Sequence, residues 1–527
     1  MSISGAGKLQ SYLSGRWQDG DGVETELTDP VTGSILATAS ARGLDLADAL
    51  QFVRTEGQRT LRELNFASRA KFLGDVADVL AKNRERYEAI AIANSGNTRT
   101  DAAIDIDGGI GTLKYYARLG AGLGEATALL DQGPVRLAKA ENFQAIHLLQ
   151  PRRGVAIHIT AFNFPSWGLW EKAAVALLAG IPVIAKPASA TALLAHEMVR
   201  DVVGAGVLPV GSISLICGSV GDLLSRLDAN DMVAFTGSHD TARSIRSHPN
   251  LVANNVAINL EADSINSAVL GPDAAPGTAT FDAFVREVVR ETTAKAGQKC
   301  TAIRRAFVPA PHAKAATEAL AAKLSAVAVG DPRDEKVRMG PVVTRGQQRD
   351  VLGGIARLSE EARILSGGKH APRIDGIDPE KSAFVAPTLL EISDPASAHA
   401  VHEVEIFGPA ASVIAYRDAD DAFAMVRRGG GSLVASVFAE DSAFLAHATG
   451  ELGASHGRIL AVDPTVAAAH TGHGIVMPQC NHGGPGRAGN GEELGGLHGL
   501  RFYHQRVAVQ GSDTLLAMLQ SNAAKLN

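Results

Sequence analysis

Cysteine is scarce in this chain, three in 527 residues, and only one of the three has neighbours that could put its sulfur to chemical use. Cys217 lies inside the apolar run SLIC, where a free cysteine behaves as a small hydrophobe. Cys300 sits instead in AGQKCT, a polar, glycine-containing stretch. A nucleophilic thiol needs a lowered pKa and nearby stabilisers for the charge that its attack creates. Asn163, in TAFNFPSW just past an apolar run, carries an amide that can donate to a developing oxyanion. Glu261 closes the apolar run of INLEADS, where burial is expected to raise its pKa toward that of a useful general base. Glu405 and Phe407, in EVEIFGPA, offer a carboxylate for a ribose and a ring for a flat heterocycle. Taken singly, each of these four reads equally well as a cap, a turn or a core residue.

Most glycine clusters fail as phosphate cradles. No G-x-G-x-x-G stands where a strand meets a helix, so the usual dinucleotide fingerprint is missing. Gly5-Ala6-Gly7-Lys8 resembles a truncated P-loop with no strand before it and is expected to be a disordered tail. Gly120, Gly122 and Gly124 follow a helical pattern and are expected to form a turn. Gly218 and Gly221 are better placed, after SLIC and opening a helix whose amides could meet a pyrophosphate, though a tight turn explains them as well. His470, His473, Cys480 and His482 match no standard zinc spacing, so no metal is expected and their loop reads as lining a substrate tunnel.

These residues must be positioned by a large globular framework. The length suggests two to four domains, and 46% hydrophobic with 20% charged residues is ordinary for a folded protein. A net charge of -6 with scattered basic residues points away from nucleic acid and anionic membranes and toward a small-molecule partner. The opening MSISGAGKLQ lacks an apolar core, the longest apolar run is broken by Gly180 and Pro182, and cysteine is sparse; a cytoplasmic location is expected. Trp17 and DPVTGS suggest hairpins, and 44–116 is helical in period. Short β-type runs appear over 133–159. Strands GVAIHIT, PVIAKP, SISLIC and MVAFTGS then alternate with helices over 167–178, up to Val203, 222–227 and 240–247. Such alternation predicts βαβ units and a parallel sheet. A strand at 267–270 opens a second alternation to about Val437, a glycine-rich loop covers 482–500, and the strand-like RFYHQRVAVQ precedes a polar tail.

TAFNFP, IAKPAS, AFTGS, the Glu of NLEADS, GQKCT and EIFGP occur in the order and approximate spacing of the aldehyde dehydrogenase superfamily, which the chain resembles over essentially its whole length. The resemblance implies two Rossmann-type α/β lobes plus a small β oligomerisation domain. It divides the chain into a cofactor-binding region (1–132 and 153–268), a catalytic region (269–482) and oligomerisation elements (133–152 and 497–527), with a homodimer as the minimal unit. Cys300 corresponds to the nucleophile, Asn163 to the oxyanion donor and Glu261 to the base that activates water against a thioester. Thr160, Phe162, Lys186, Ser189, Gly221, Thr236, Gly237, Ser238, Glu405 and Phe407 fall at cofactor-binding positions. Two features depart from the pattern. The usual ELGG around the base is EADS here, while an ELGG at 493–496 belongs to the C-terminal loop; and the separation of Glu261 from Cys300 is long, which suggests an insertion near 275–280.

In relatives that prefer NAD, a Glu three residues after the lysine receives the ribose hydroxyls. Ser189 stands there instead, with Lys186 close by, so NADP is expected over NAD. The longer segments FNFPSWGLWEKAA, SLICGSVGDLL, LEADSINSAVLG, FVREVVRETTAKAGQKCTAIRR and HGGPGRAGNGEELGG resemble the dehydrogenases that oxidise ring-opened CoA-thioester semialdehydes in aerobic phenylacetate and benzoate breakdown. The phenylacetate enzymes carry a fused hydratase domain; a chain that stops at Asn527 leads one to expect the stand-alone benzoate type, acting on a CoA-linked aldehyde. A CoA-acylating relative and a non-catalytic scaffold of the same fold are the alternatives.

Overall fold

The computed structural model describes residues 7–526. Its first lobe is built on a seven-stranded sheet in the order Ala257–Glu261, Met232–Thr236, Ala156–Thr160, Val183–Pro187, Ile213–Leu215, Ser11–Leu13 and Arg16–Gln18. The first five are parallel and the last two form an antiparallel hairpin at the edge. Runs such as MVAFT and VIAKP are apolar on both faces because helices cover both sides of a parallel sheet. One cover, the helix Trp167–Ala179, is buried at every position but Gly168. Gly180 ends it in a left-handed conformation (φ 84°), and any side chain there would strike the Arg69 guanidinium.

In chain order the five parallel strands run 5-4-1-2-3, so the direction of winding reverses between Ala156–Thr160 and Met232–Thr236. Ligands of open α/β sheets bind at the carboxyl ends of strands beside such a reversal. Here those ends carry Thr160, Lys186, Thr236 and Glu261, with Thr236 in register against Glu261.

The second lobe has its own seven-stranded sheet, ordered Ala362–Ser366, Thr388–Ile392, Ala410–Tyr416, Ile303–Pro309, Asn266–Leu270, Ser432–Phe438 and His456–Val462; only the Ala362–Ser366 edge is antiparallel. It presents the opposite polarity to the cleft: Cys300 precedes Ile303–Pro309, and Glu405 and Phe407 precede Ala410–Tyr416. A four-stranded sheet of His504–Ser512, Phe143–Pro151, Ala128–Arg136 and Ala523–Lys525 stands apart from both. Among the described residues, no helix is long and apolar enough to cross a membrane.

Several expected boundaries shift. Gly5 and Ala6 of the P-loop-like cluster lie outside the described residues, but Lys8 is no tail: it lies in the Lys8–Leu9 strand, paired with Ile35–Ala39, and its ammonium bonds to the Gly20 carbonyl. Gly120 and Gly122 continue the helix Arg99–Leu123 rather than turning, and only Gly124 caps it. The second alternation runs on to Val462, and residues 266–268 belong to the second sheet. The glycine-rich loop contains a hairpin, Asn481–Gly484 against Gly491–Leu494. The polar tail contains a helix, Asp513–Ser521, and a strand. The strands among these depend on pairing between segments distant in sequence, which a local pattern does not encode.

Candidate active site

At the winding reversal the two lobes enclose a cleft of about 460 Å³. A second, narrow cavity of about 40 Å³ approaches from the side of Trp167, Val476 and His482. Six residues line both: Thr160, Ala161, Asn163, Thr236, Glu261 and Cys300. The expected nucleophile, oxyanion donor and base thus occupy the one place where a broad cleft meets a tunnel.

The loop carrying Cys300 is fixed by backbone geometry of a costly kind. Lys295 and Ala296 are left-handed (φ 52° and 51°) ahead of Gly297 (φ 67°), and each non-glycine residue so placed costs roughly 1–2 kcal/mol. Asp101 Oδ1 accepts the Lys295 amide at 2.8 Å, and the Gln298 side chain donates to the Lys295 carbonyl at 3.0 Å. Arg304 donates to the carbonyls of Gly297 and Gly408, both at 2.9 Å, tying GQKCT to EIFGP. The two backbones pass so closely that a β-carbon on Gly297 would lie 2.2 Å from the Gly408 oxygen, so only glycine fits. Asn266 Nδ2 holds the Cys300 carbonyl at 2.8 Å. Among the described residues, neither the Cys300 amide nor the Asn163 side chain donates a hydrogen bond to the protein. Both are therefore free to donate to an oxyanion formed at the cavity junction.

The electrostatics correct two expectations. Cys300 is half-buried, but burial and the neighbouring Glu261 carboxylate push its thiol well above the usual range, so it rests protonated. A base must take its proton when it attacks. Burial alone would raise Glu261, as expected, but the His482 imidazole, with its Nε2 at 3.0 Å from the carboxylate, and the Lys172 ammonium outweigh that and hold the acid below the ordinary carboxylate range. One polar atom each from Glu261, Cys300 and His482 lie within 4.8 Å of one another.

From the sequence, His482 is expected in a loop lining a substrate tunnel, and it does line the narrow cavity, but nothing local in the glycine-rich stretch pairs it with Glu261. The hairpin docks on Ala257–Glu261, where Asn259 Oδ1 accepts the Glu492 amide at 2.8 Å and Asn259 Nδ2 donates to Glu493 at 3.0 Å. Glu493, the first residue of the displaced ELGG, also pairs with the buried Lys172 at 2.7 Å. The other members of the histidine-rich group part company: His473 bonds to Ser436 and Cys480 is exposed.

The expected cofactor positions divide. Thr160, Phe162, Lys186, Thr236, Gly237, Ser238, Glu405 and Phe407 all line the cleft. Phe162 and Phe407 meet edge to face at 5.6 Å, and the Arg304 guanidinium lies 5.6 Å from the Phe407 ring. Burial pushes the Glu405 acid up to about 8, although the Ser264 amide donates to it at 3.2 Å. Ser189 and Gly221 are not in the cleft wall, where Ala188 appears instead of Ser189. Gly221 opens onto a single 3-10 turn, Leu223–Arg226, too short for a useful dipole. The Ser219 amide beside it already donates to Glu24, a carboxylate from the N-terminal segment that the sequence did not bring to mind.

A doubly wound lobe whose strand ends face a half-buried cysteine, an amide and a carboxylate suits covalent chemistry beside a bound nucleotide, and comparison gives the family. The aldehyde dehydrogenase family pattern matches residues 17–509, and the chain belongs to that family of aldehyde-oxidising enzymes. It is 51% identical over 480 residues to the 3,4-dehydroadipyl-CoA semialdehyde dehydrogenase of Aromatoleum evansii, covering 91% of this chain and 93% of that one. A shorter match, 43% over 190 residues, is to protein MaoC of Klebsiella aerogenes, covering 34% of this chain and 52% of that one. In fold, it superposes on the betaine aldehyde dehydrogenase of Staphylococcus aureus, solved with NAD+, with TM-score 0.82, 22% identity and coverage of 96% and 95%. A point mutant of an aldehyde dehydrogenase from Bacillus cereus gives TM-score 0.82 at 21% identity, covering 96% of each chain.

Proposed function

We propose that the chain oxidises a CoA-linked semialdehyde of the 3,4-dehydroadipyl-CoA type to its acid, with NADP, through a thioester on Cys300. The meeting of cleft and tunnel at Cys300, Asn163 and Glu261 carries the chemistry. The Aromatoleum evansii relative supports the substrate class, and the resemblance of the longer sequence segments supports a part in aerobic benzoate catabolism. The first lobe is read as the dinucleotide-binding region, the second as the catalytic region and the four-stranded sheet as the contact of a homodimer in the cytoplasm.

The cleft suits a pyridine dinucleotide: the Thr160 and Thr236 hydroxyls and Glu405 Oε1 are buried there without hydrogen-bond partners. Lys186 and Thr236–Ser238 would hold its adenosine and phosphate part, and Glu405 and Phe407 its nicotinamide riboside. When bound, it supplies the acceptor for the aldehyde hydrogen. Cys300 Sγ attacks the carbonyl carbon as its proton passes to Glu261. The Asn163 amide and the Cys300 N–H hold the oxyanion. Once the thiol proton has left for solvent, Glu261 takes another from the water that releases the acid.

Asn163→Ala is expected to lower kcat by about 10²–10³-fold, the scale of one oxyanion donor. Steady-state rates with a saturating semialdehyde check this, and a near-normal kcat would remove Asn163 from the role. Cofactor choice gives a second test. No carboxylate stands at position 189, although the Glu24 carboxylate, held ionised by the amides of Ala41 and Ser219, also acts on the Lys186 ammonium. Position 189 itself offers no repulsion to a 2′-phosphate near Lys186, and kcat/KM should favour NADP over NAD by about tenfold or more, the worth of one charged contact. Preference for NAD would overturn that part. CoA-linked semialdehydes should also show a lower KM than the free acids; equal values would count against the substrate class.

A further inference from the structure

Glu261 and His482 form a closed unit. The carboxylate is 2% and the imidazole 7% exposed, their contact is direct, and both line the narrow cavity with Cys300. A carboxylate held only by a fixed positive charge would be a weak base. An imidazole differs from an ammonium because it can gain and lose a proton near neutrality. We propose that His482 is the positioning partner through which Glu261 works: protons taken by the carboxylate from Cys300, and then from water, come to rest on the imidazole. This rests on Glu261 being the base.

The surroundings favour that resting place. Glu171 faces His482 from the helix Trp167–Ala179, Glu493 faces it across the hairpin in direct register, and Glu261 and Cys300 face it from the strand end and the catalytic loop, while Lys172 acts on Glu261 and Glu493. Lys172 is engaged by Glu171 at 3.5 Å and Glu493 at 2.7 Å and feels Glu261 as well; burial raises the Glu171 acid to about 7, so the carboxylate charge around this one ammonium grows through neutrality and favours a second positive charge there. Burial disfavours the imidazolium, but Glu261, Glu171 and Glu493 together raise its pKa above the usual imidazole value. The pair then accepts one proton as a unit in the working pH range.

Each step balances. The S–H bond of Cys300 breaks and its proton passes to Glu261, which gives it to His482 Nε2. The sulfur bonds to the carbonyl carbon, and the π pair moves onto oxygen. Before the second half, by which point the substrate hydrogen would already have left to the dinucleotide the cleft would hold, His482 loses its proton to solvent. A water O–H bond then breaks by the same route, the oxygen bonds to the acyl carbon, and the C–S pair leaves on sulfur.

The test is kcat and the rate of Cys300 alkylation by iodoacetamide, each measured from pH 5 to pH 10, for the wild type, His482→Gln and His482→Phe. The base is competent when the pair is unprotonated, so activity should rise with pH through the imidazole range in the wild type. In both variants that limb should fall by at least about one pH unit, toward carboxylate values, and the plateau should drop about tenfold or more. Unfolding temperatures and dinucleotide binding identify a misfolded variant, and the glutamine, close in volume, keeps the test alive if the phenylalanine does not fold. A limb at the same pH in a folded variant overturns the role of His482 while leaving the oxidation intact. A wild type that forms no NADPH from any semialdehyde overturns the functional reading itself.

Discussion

Cys300→Ser should form no NADPH above background, with kcat reduced by at least about 10⁴-fold, the scale on which losing a covalent nucleophile acts. The hydroxyl is somewhat smaller than the thiol and creates no clash, and the loop is held by groups that do not involve the sulfur: Asp101 on Lys295, Asn266 on the Cys300 carbonyl, Arg304 on Gly297. Folding and dinucleotide affinity should therefore stay within the small range of a neutral substitution, about 0.5 kcal/mol. What is lost is a nucleophile whose conjugate base Glu261 and its surroundings can generate. A serine alcohol, a far weaker acid than the thiol, is not ionised by the same carboxylate. Appreciable turnover in the serine variant would mean that the chemistry does not pass through this sulfur.

The second large effect is expected at Glu261→Gln. Its kcat should fall by about 10²–10⁴-fold, the range for removal of a general base. The form of the loss matters more than its size. If Glu261 serves both proton transfers, the first turnover is slowed but still yields NADPH approaching one equivalent per subunit, after which the thioester accumulates. Stopped-flow absorbance resolves the two phases. Full release of free acid at the wild-type rate would exclude Glu261 as the water-activating base. Rescue of turnover by free CoA, with acyl-CoA as the product, would indicate that CoA rather than water normally takes the acyl group.

Much of this site was legible in the sequence because its parts close local elements. Asn163 follows the apolar strand Ala156–Thr160 and Glu261 ends Ala257–Glu261, strands whose patterns are strong, and Cys300 leads into Ile303–Pro309. Gly297 marks the tight approach of two loops, which is why the same short motif can announce both a backbone crossing and a nucleophile. The parts that stayed hidden depend on contacts between distant segments. His482 reaches Glu261 only because a hairpin with little side-chain signal docks on Asn259. The direction of the Glu261 shift could not be read from burial alone, since the sign is decided by that imported imidazole and by Lys172. Glu24 occupies the amide of Ser219 for the same reason: an N-terminal segment folds onto a turn nearly two hundred residues away.

The most direct measurement is the mass of Glu261→Gln protein quenched in acid after mixing with NADP and a CoA-linked semialdehyde. An acyl group should add to one cysteine, recovered after digestion on the peptide containing Cys300, in proportion to the NADPH formed. NADPH formed without any adduct on that peptide, or with the acyl group on Cys217 or Cys480, would contradict a covalent route through Cys300.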